Sequence, residues 1–179
     1  MSIGLSLRRT LVIIGCGLIL LQIIAQLNHA IAPARMYVWI GGLLITFAGL
    51  RLPAQEGFNA CFVLGLFMDA TSPTPFGLLA FLFGIAHLIL VRVRHRVAGD
   101  ETLVALMIAL LVNLALFVAL TFTRLADLAN AAATGVRLLA DLVISQAVLA
   151  LAAPWYFALQ GRALEFVGAG LRGPTSEPI

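Results

Sequence analysis

The chain has 179 residues, of which 62% are hydrophobic and 11% are charged, and its mean hydropathy is +1.08. A soluble domain is about half apolar and about a quarter charged, so this composition excludes an ordinary soluble domain and predicts a helical membrane protein of one domain. The 11 cationic residues, all arginines, exceed the 8 acids by a small and scattered margin, so we expect no nucleic-acid partner.

Six apolar segments follow one another along the chain, and each is predicted to be a membrane-spanning helix. A perpendicular span needs about 20 residues, with about 17 as a practical minimum. The second, third and fourth segments have 16, 15 and 16 residues, so flanking side chains must snorkel or the bilayer must thin there. In chain order the segments are 11–27, 37–52, 54–68, 76–91, 103–122 and 142–159.

The first segment also resembles a signal peptide. Arg8 and Arg9 precede it, and Ala30-Ile31-Ala32 fits the small-x-small cleavage pattern. Its 17 residues exceed the usual length of a signal core, so an uncleaved first transmembrane helix is the preferred interpretation. The predicted domains are a six-helix transmembrane domain over residues 1–160 and a short cytoplasmic tail over residues 161–179, partly disordered because it is polar and glycine-rich.

The third segment begins among polar residues, so a re-entrant loop is the alternative to a span. With six spans and an inner N-terminus, eight arginines lie inside and three lie outside. A re-entrant third segment would place the arginine cluster of residues 92–96 outside, against the positive-inside bias. We therefore predict six helices with both termini cytoplasmic. The 92–96 cluster is predicted to attract anionic lipid, with a cytoplasmic partner as the alternative.

Small residues recur at helical spacing in the third and fourth segments. Gly57, Cys61 and Gly65 are four residues apart, and Gly77 and Gly84 mark one stripe of the next helix. Small side chains let a neighbouring helix approach closely. The residues therefore serve either packing within this chain or a groove for the transmembrane helix of another protein, and the sequence leaves both interpretations open.

Two acids lie near the outer ends of their segments. Asp69 is predicted to cap the turn that follows it by accepting hydrogen bonds from the amide of Thr71 or Ser72. Arg137 lies one helical turn before Asp141 and is expected to pair with it. Because each acid has a structural explanation, we predict no aspartyl-protease chemistry.

Other polar residues in the apolar segments have structural interpretations as well. His87 could relay protons or serve as a hydrogen-bonded packing residue, and the second interpretation is preferred. Asn113 and several other amides, which are Gln22, Gln26, Asn59 and Gln146, are predicted to form interhelical hydrogen bonds. No phosphate-binding loop, zinc-protease motif or Cys-x-x-Cys pair occurs in the sequence. We predict no catalytic residue, no metal site and no cofactor.

Residues 53–84 carry the one specific family signature of the chain. An apolar run ends in a Gly-Leu-x-x-Asp step at Asp69, a short polar turn follows, and Gly77-Leu78 opens the next helix. This stretch resembles the MreD family, the small integral-membrane subunits of the bacterial rod-shape machinery, or elongasome. The turn departs from the usual Ser-Gly form of the family because it reads Ala70-Thr71-Ser72-Pro73-Thr74-Pro75.

The resemblance implies a function that composition and spacing do not derive. MreD proteins are non-enzymatic regulators of cell shape and lateral peptidoglycan synthesis in the bacterial inner membrane. They associate with MreC, whose single transmembrane helix and periplasmic domain link to RodA and a class B penicillin-binding transpeptidase, above MreB filaments. For this chain a homodimer is a further expectation. We expect the partner-binding or structural motif to combine the small residues of the two stripes with the turn that carries the resemblance; it comprises Gly57, Cys61, Gly65, Asp69, Pro75, Gly77 and Gly84.

The family fold is similar to the substrate-binding component of energy-coupling-factor transporters, which suggests a second hypothesis. Under it the chain captures a small solute from outside. Such a protein needs an outward polar cavity with convergent polar groups. The candidates in this sequence are Asn59, Asp69 and Asn113.

Overall fold

A computed structural model describes residues 3–72, 74–96, 102–125 and 131–170 of the chain. Within these ranges the protein is all-helical and has no strand, which confirms the predicted fold class at that level. Two short 3-10 helices, Ala32–Ala34 and Arg94–Arg96, accompany six α-helices. The α-helices are α1 (Ile3–Ile31), α2 (Gly41–Arg51), α3 (Ala54–Thr71), α4 (Leu78–Val93), α5 (Thr102–Leu125) and α6 (Ala131–Phe166).

Three of these helices are long and apolar enough to cross a membrane. They cover Gly4–Ala34, Thr102–Phe122 and Gly135–Phe166, and between 22% and 28% of the most apolar stretch of each is buried. Most of their apolar surface is therefore exposed, a distribution that a soluble monomer rarely shows. The helices α2 and α4 are apolar but shorter.

Most helices extend beyond the predicted segments: α1 begins at Ile3 and not at residue 11, and α6 begins at Ala131 and not at residue 142. α2 begins later than the prediction, which placed helix from Tyr37 onward. Residues 36–40 have no regular structure, so α2 begins at Gly41 and has 11 residues. α6 continues to Phe166, and the following residues turn back so that Leu164 and Ala169 are buried. The predicted tail thus begins as helix, and its residues 171–179 lie outside the described part of the chain.

Arg9 brings three chain segments together at one end of the bundle. Its Nη1 lies 3.7 Å from Oε2 of Glu56, in the first turn of α3, and its Nε donates a hydrogen bond of 3.0 Å to the carbonyl of Ala169, beyond α6. At the same end, Nη1 of Arg94 donates to the carbonyl of Leu52 at 2.6 Å, which joins the end of α4 to the α2–α3 link. We call this end the Arg9 end and the opposite one the Asp69 end.

The short helix α2 lies at the centre of the bundle. Residues 41–49 are all buried, and α2 packs against α3, α4, α5 and α6. Gly42 allows the closest of these approaches, because a Cβ there would lie 2.6 Å from the carbonyl oxygen of Ala109 on α5. A helix that is apolar on every side is expected at such a position.

The glycines of α3 form its interface with α4. A Cβ on Gly65 would lie 2.5 Å from Cα of Ala80 and 3.0 Å from the carbonyl oxygen of Leu79. A Cβ on Gly57 would meet the ring of His87, and Cys61 is fully buried. The structure therefore places these three residues in packing within the chain, and they do not line an open groove for another protein.

Replacing Gly65 by alanine tests this close approach. The added methyl group would overlap main-chain atoms of α4, which have no flexible end to move aside, so we expect Gly65→Ala to lose about 1–3 kcal/mol of stability. Gly15→Ala is the matched control in α1, because nothing lies within 4 Å of a Cβ at that position. The measurement is the unfolding midpoint in mixed micelles. Equal midpoints for the two variants would contradict the packing described here.

Candidate functional site

The carboxylate of Asp69 holds the start of α4. Asp69 lies in the last turn of α3, and its Oδ2 accepts hydrogen bonds from the amides of Gly77 at 3.1 Å and Ala80 at 3.0 Å. Its Oδ1 accepts from the amide of Leu79 at 3.0 Å. The first amides of a helix have no partner within the helix, and a negative charge is favoured beside them. We call this arrangement the Asp69 clamp.

The predicted capping partners of Asp69 were wrong, although a structural role is what the geometry shows. α3 continues through Thr71, so the amides after Asp69 stay close to their own helix, and Ser72 donates to the main-chain carbonyl of Asp69 at 3.4 Å. The carboxylate instead reaches across to α4. Gly77 makes this possible because its φ of +94° is a left-handed conformation, which side-chain-bearing residues rarely adopt.

The remaining residues of the predicted motif lie around the clamp in different ways. Gly84 is buried, and a Cβ there would lie 3.0 Å from the ring of Phe58. Pro75 is exposed, and its carbonyl accepts a hydrogen bond from the amide of Leu78 at 3.1 Å. The motif is thus a continuous α3–α4 hairpin element in which Gly57, Gly65 and Gly84 are buried, Gly77 is half-buried with open space around its Cβ position, and Pro75 is exposed.

Side chains from two helices supply partners for the amides of the non-helical segment before α2. The amide of Tyr37 donates to Oδ1 of Asp141 at 2.9 Å, and the amide of Trp39 donates to Oγ of Ser145 at 2.8 Å, both on α6. Between them, the amide of Val38 donates to Oδ1 of Asn28 on α1 at 2.7 Å. The amides of Tyr37, Val38 and Trp39, which lie outside any helix, therefore each have a side-chain acceptor.

Asn113 completes this network from α5. Its Nδ2 donates to the carbonyl of Trp39 at 3.1 Å, and its Oδ1 accepts from the amide of Gly42 at 3.1 Å. The predicted interhelical role of Asn113 is confirmed, with main-chain groups as its partners. Leaving such groups unpaired in a buried site would cost about 1–3 kcal/mol each.

The expected pairing of Arg137 with Asp141 is absent from the structure. Among the residues whose side chains are described, a single salt bridge is found, between Arg9 and Glu56. Asp141 lies buried and its carboxylate turns toward the amide of Tyr37, whereas Arg137 is exposed. A main-chain amide outside a helix needs an acceptor, whereas an exposed arginine can be solvated.

His87 has the preferred role of a hydrogen-bonded packing residue. It is fully buried, its Nε2 lies 3.0 Å from the carbonyl oxygen of Ala54, and its Nδ1 lies 3.8 Å from Sγ of Cys61. Because a carbonyl only accepts, Nε2 carries the hydrogen. His87 therefore joins α4 to the first turn of α3. Cys61 and Cys16 are both free thiols in buried positions.

A cavity of about 480 Å³ lies at the Asp69 end, between the second half of α1, residues 37–40 and the end of α3. We call it the α1–α3 cavity. The three polar residues proposed to line a solute site do not line it: Asp69 and Asn113 bond main-chain groups, and Asn59 is exposed on α3. No charged side chain lines the cavity. Sequence reasoning missed it because its walls are distant in sequence.

Comparisons with known protein families, with curated proteins and with solved structures find no match to this chain. The resemblance to the MreD family therefore depends on the sequence of residues 53–84 alone.

Substitution of Asp69 tests the clamp. Asp69→Ala would leave three amides without their acceptor, and we expect a loss of at least about 2–4 kcal/mol because each unpaired buried amide costs about 1–3 kcal/mol and solvent at the helix end relieves part of it. Asp69→Asn keeps one acceptor oxygen and should lie between wild type and alanine. Thr71→Ala, an exposed control on the same turn, should change little. Chemical unfolding in micelles measures all three, and an alanine variant as stable as wild type would refute the clamp.

Proposed function

We propose that this chain is a non-enzymatic membrane scaffold of the MreD type, which binds the transmembrane helix of MreC in the bacterial inner membrane. In this role it regulates cell shape and lateral peptidoglycan synthesis, in contact through MreC with RodA, a class B penicillin-binding transpeptidase and MreB. The proposal includes six membrane spans and a fold similar to the substrate-binding component of energy-coupling-factor transporters.

The observation that supports the proposal is that five buried polar side chains form hydrogen bonds to the main chain of the protein itself. Asp69, His87, Asn113, Asp141 and Ser145 are all buried, and each has a hydrogen bond to the main chain of this protein. These residues join helices to one another or to the segment before α2. A polar interior used in this way supports a protein whose function is to present a rigid surface.

The dimensions of the second span support six crossings despite the short α2. Residues 36–40 have no regular structure and can span at most about 3.3 Å each, and the 11 residues of α2 rise about 1.5 Å each. Together they can reach at most about 33 Å, against a hydrocarbon core of about 30 Å. Non-helical main chain is tolerated at membrane depth where it is buried in protein, as the bonds from α1, α5 and α6 ensure here.

Charge gives the proposed orientation. Arg9 and Arg94 bond main-chain groups at the Arg9 end, and Arg51 ends α2 at the same end. The positive-inside bias assigns this end to the cytoplasm. The Asp69 end, with the α1–α3 cavity, then faces the periplasm.

Cysteine labelling in spheroplasts tests the orientation. Gln55 and Phe76 are exposed at opposite ends of the bundle. A membrane-impermeant maleimide should label Phe76→Cys and leave Gln55→Cys unlabelled until the membrane is permeabilised. The unmodified chain is the control, since both of its native thiols are buried. Labelling of Gln55→Cys alone in intact spheroplasts would reverse the proposed topology.

The partner helix must meet an outer surface, because the glycines of α3 are buried against α4. We expect tagged wild-type chain to retain MreC from native membranes. Tryptophan at one of three exposed positions should reduce retention at least tenfold and so mark the binding face, while the other two serve as controls. The variants are Ile19→Trp on α1, Ala115→Trp on α5 and Ala140→Trp on α6.

If the tagged chain retains no more MreC than an unrelated multi-span membrane protein expressed at the same level, the scaffold proposal is refuted. If all three variants retain as much MreC as the wild-type chain, the binding face lies instead on α4, where Phe81 and Ile89 are exposed.

Solute capture is the second candidate, and the α1–α3 cavity is the observation that favours it. Its volume lies within the range of about 300–1,000 Å³ typical of small-molecule sites. A melting temperature that rises with a water-soluble compound, in protein free of MreC, would support capture over the scaffold.

A further inference from the structure

The α1–α3 cavity has an apolar interior and a polar mouth. Leu18 and Leu21 line it at the level of the middle of α1, and Ile40 lines it beside the start of α2. Asn28 and Thr71 line it at the Asp69 end. Polarity thus changes along the cavity in the direction in which a membrane changes from hydrocarbon to headgroup.

The polar groups at the mouth already have partners within the protein. Asn28 uses both atoms of its amide, accepting from the amide of Val38 at 2.7 Å and donating to its carbonyl at 3.0 Å. Oγ1 of Thr71 donates to the carbonyls of Phe67 and Met68 on its own helix. A polar solute would displace these bonds, whereas an apolar occupant would leave them intact.

The cavity extends along α1 from Leu18 to Asn28. Ten residues of helix correspond to about 15 Å, which is half of a hydrocarbon core about 30 Å thick. The cavity therefore has the depth of one membrane leaflet. Gln22 and Ala25 both line it and are exposed on the surface of α1, so it can be entered from the surrounding lipid.

Empty apolar space of about 480 Å³ would deprive the lining side chains of dispersion contacts. Water would compensate poorly, because a buried water needs two to four polar partners and the apolar part of the cavity has Gln22 as its polar side chain. A hydrocarbon chain restores the contacts and leaves the mouth in the polar interface.

We propose that the α1–α3 cavity binds one acyl chain of a bilayer phospholipid from the outer leaflet, with the lipid headgroup at the mouth formed by Asn28 and Thr71. This inference depends on the membrane arrangement of the proposed function, and it adds a lipid site to that function. The bound acyl chain fills the gap between α1 and α3 and so stabilises the arrangement in which these two helices are apart.

The two tryptophans of the chain make the site measurable. Trp39 lines the cavity and is 5% exposed, whereas Trp155 on α6 is 81% exposed. Trp155→Phe therefore leaves Trp39 as the only indole. In vesicles of phosphatidylcholine brominated in the middle of its acyl chains, Trp39 fluorescence should fall at least twofold relative to unbrominated vesicles, although the residue is shielded from the bilayer by protein.

A filling variant separates lipid in the cavity from lipid around the protein. Ala25→Phe, in the Trp155→Phe background, places a ring in the cavity wall and should abolish most of the quenching. Ala115→Phe is the matched control on the exposed surface of α5 and should leave quenching unchanged. Thr71→Phe fills the cavity from the opposite wall, which covers the case in which Ala25→Phe does not fold.

Two results would overturn the inference. The first is quenching that is the same in the filling variants and the control. The second is Trp39 fluorescence that brominated lipid does not quench but acrylamide does, which would show that the cavity is filled with water. Because maleimide labelling at Phe76→Cys and Gln55→Cys tests the membrane arrangement separately, correct topology without lipid quenching would refute the lipid site alone.

Discussion

Main-chain groups that leave helical geometry inside this bundle must find partners without help from water. The structure meets that constraint with side chains brought from other helices. The carboxylate of Asp69 accepts hydrogen bonds from three amides at the start of α4. The side-chain amide of Asn113 bonds the carbonyl of Trp39 and the amide of Gly42, where the chain enters α2. Without these partners, neither the α3–α4 hairpin nor the central helix could remain buried at an acceptable free energy.

Close packing follows from the same arrangement. Because Asp69 sets the start of α4 beside the end of α3, the two helices approach closely along their length, and glycine at residues 57 and 65 is what the approach requires. The non-helical segment before α2 also lines the cavity between α1 and the end of α3. The clamp, the central helix and the α1–α3 cavity are thus connected features of one fold.

Particular residues show how far sequence reasoning reached. The turn that follows Asp69 predicted a structural role for this acid, and the arginine distribution predicted six helices with both termini at one end. The predicted partners of Asp69 were wrong because they were sought within its own turn, whereas its acceptor atoms face a helix that begins nine residues later. Asp141 was assigned to Arg137 for the same reason, since local spacing favours neighbours along a helix.

The sequence by itself determined the helical class, the apolar segments and the small residues that permit close packing, because hydropathy and side-chain size are properties of each residue and its near neighbours. Only the tertiary structure decided that residues 36–40 lie outside any helix, that Gly57 and Gly65 are buried against neighbouring helices, and that a cavity opens between α1 and α3. Each of these depends on which distant groups meet. The main-chain amide of Tyr37 can lie outside a helix because it donates a hydrogen bond to the carboxylate of Asp141, more than a hundred residues later in the chain.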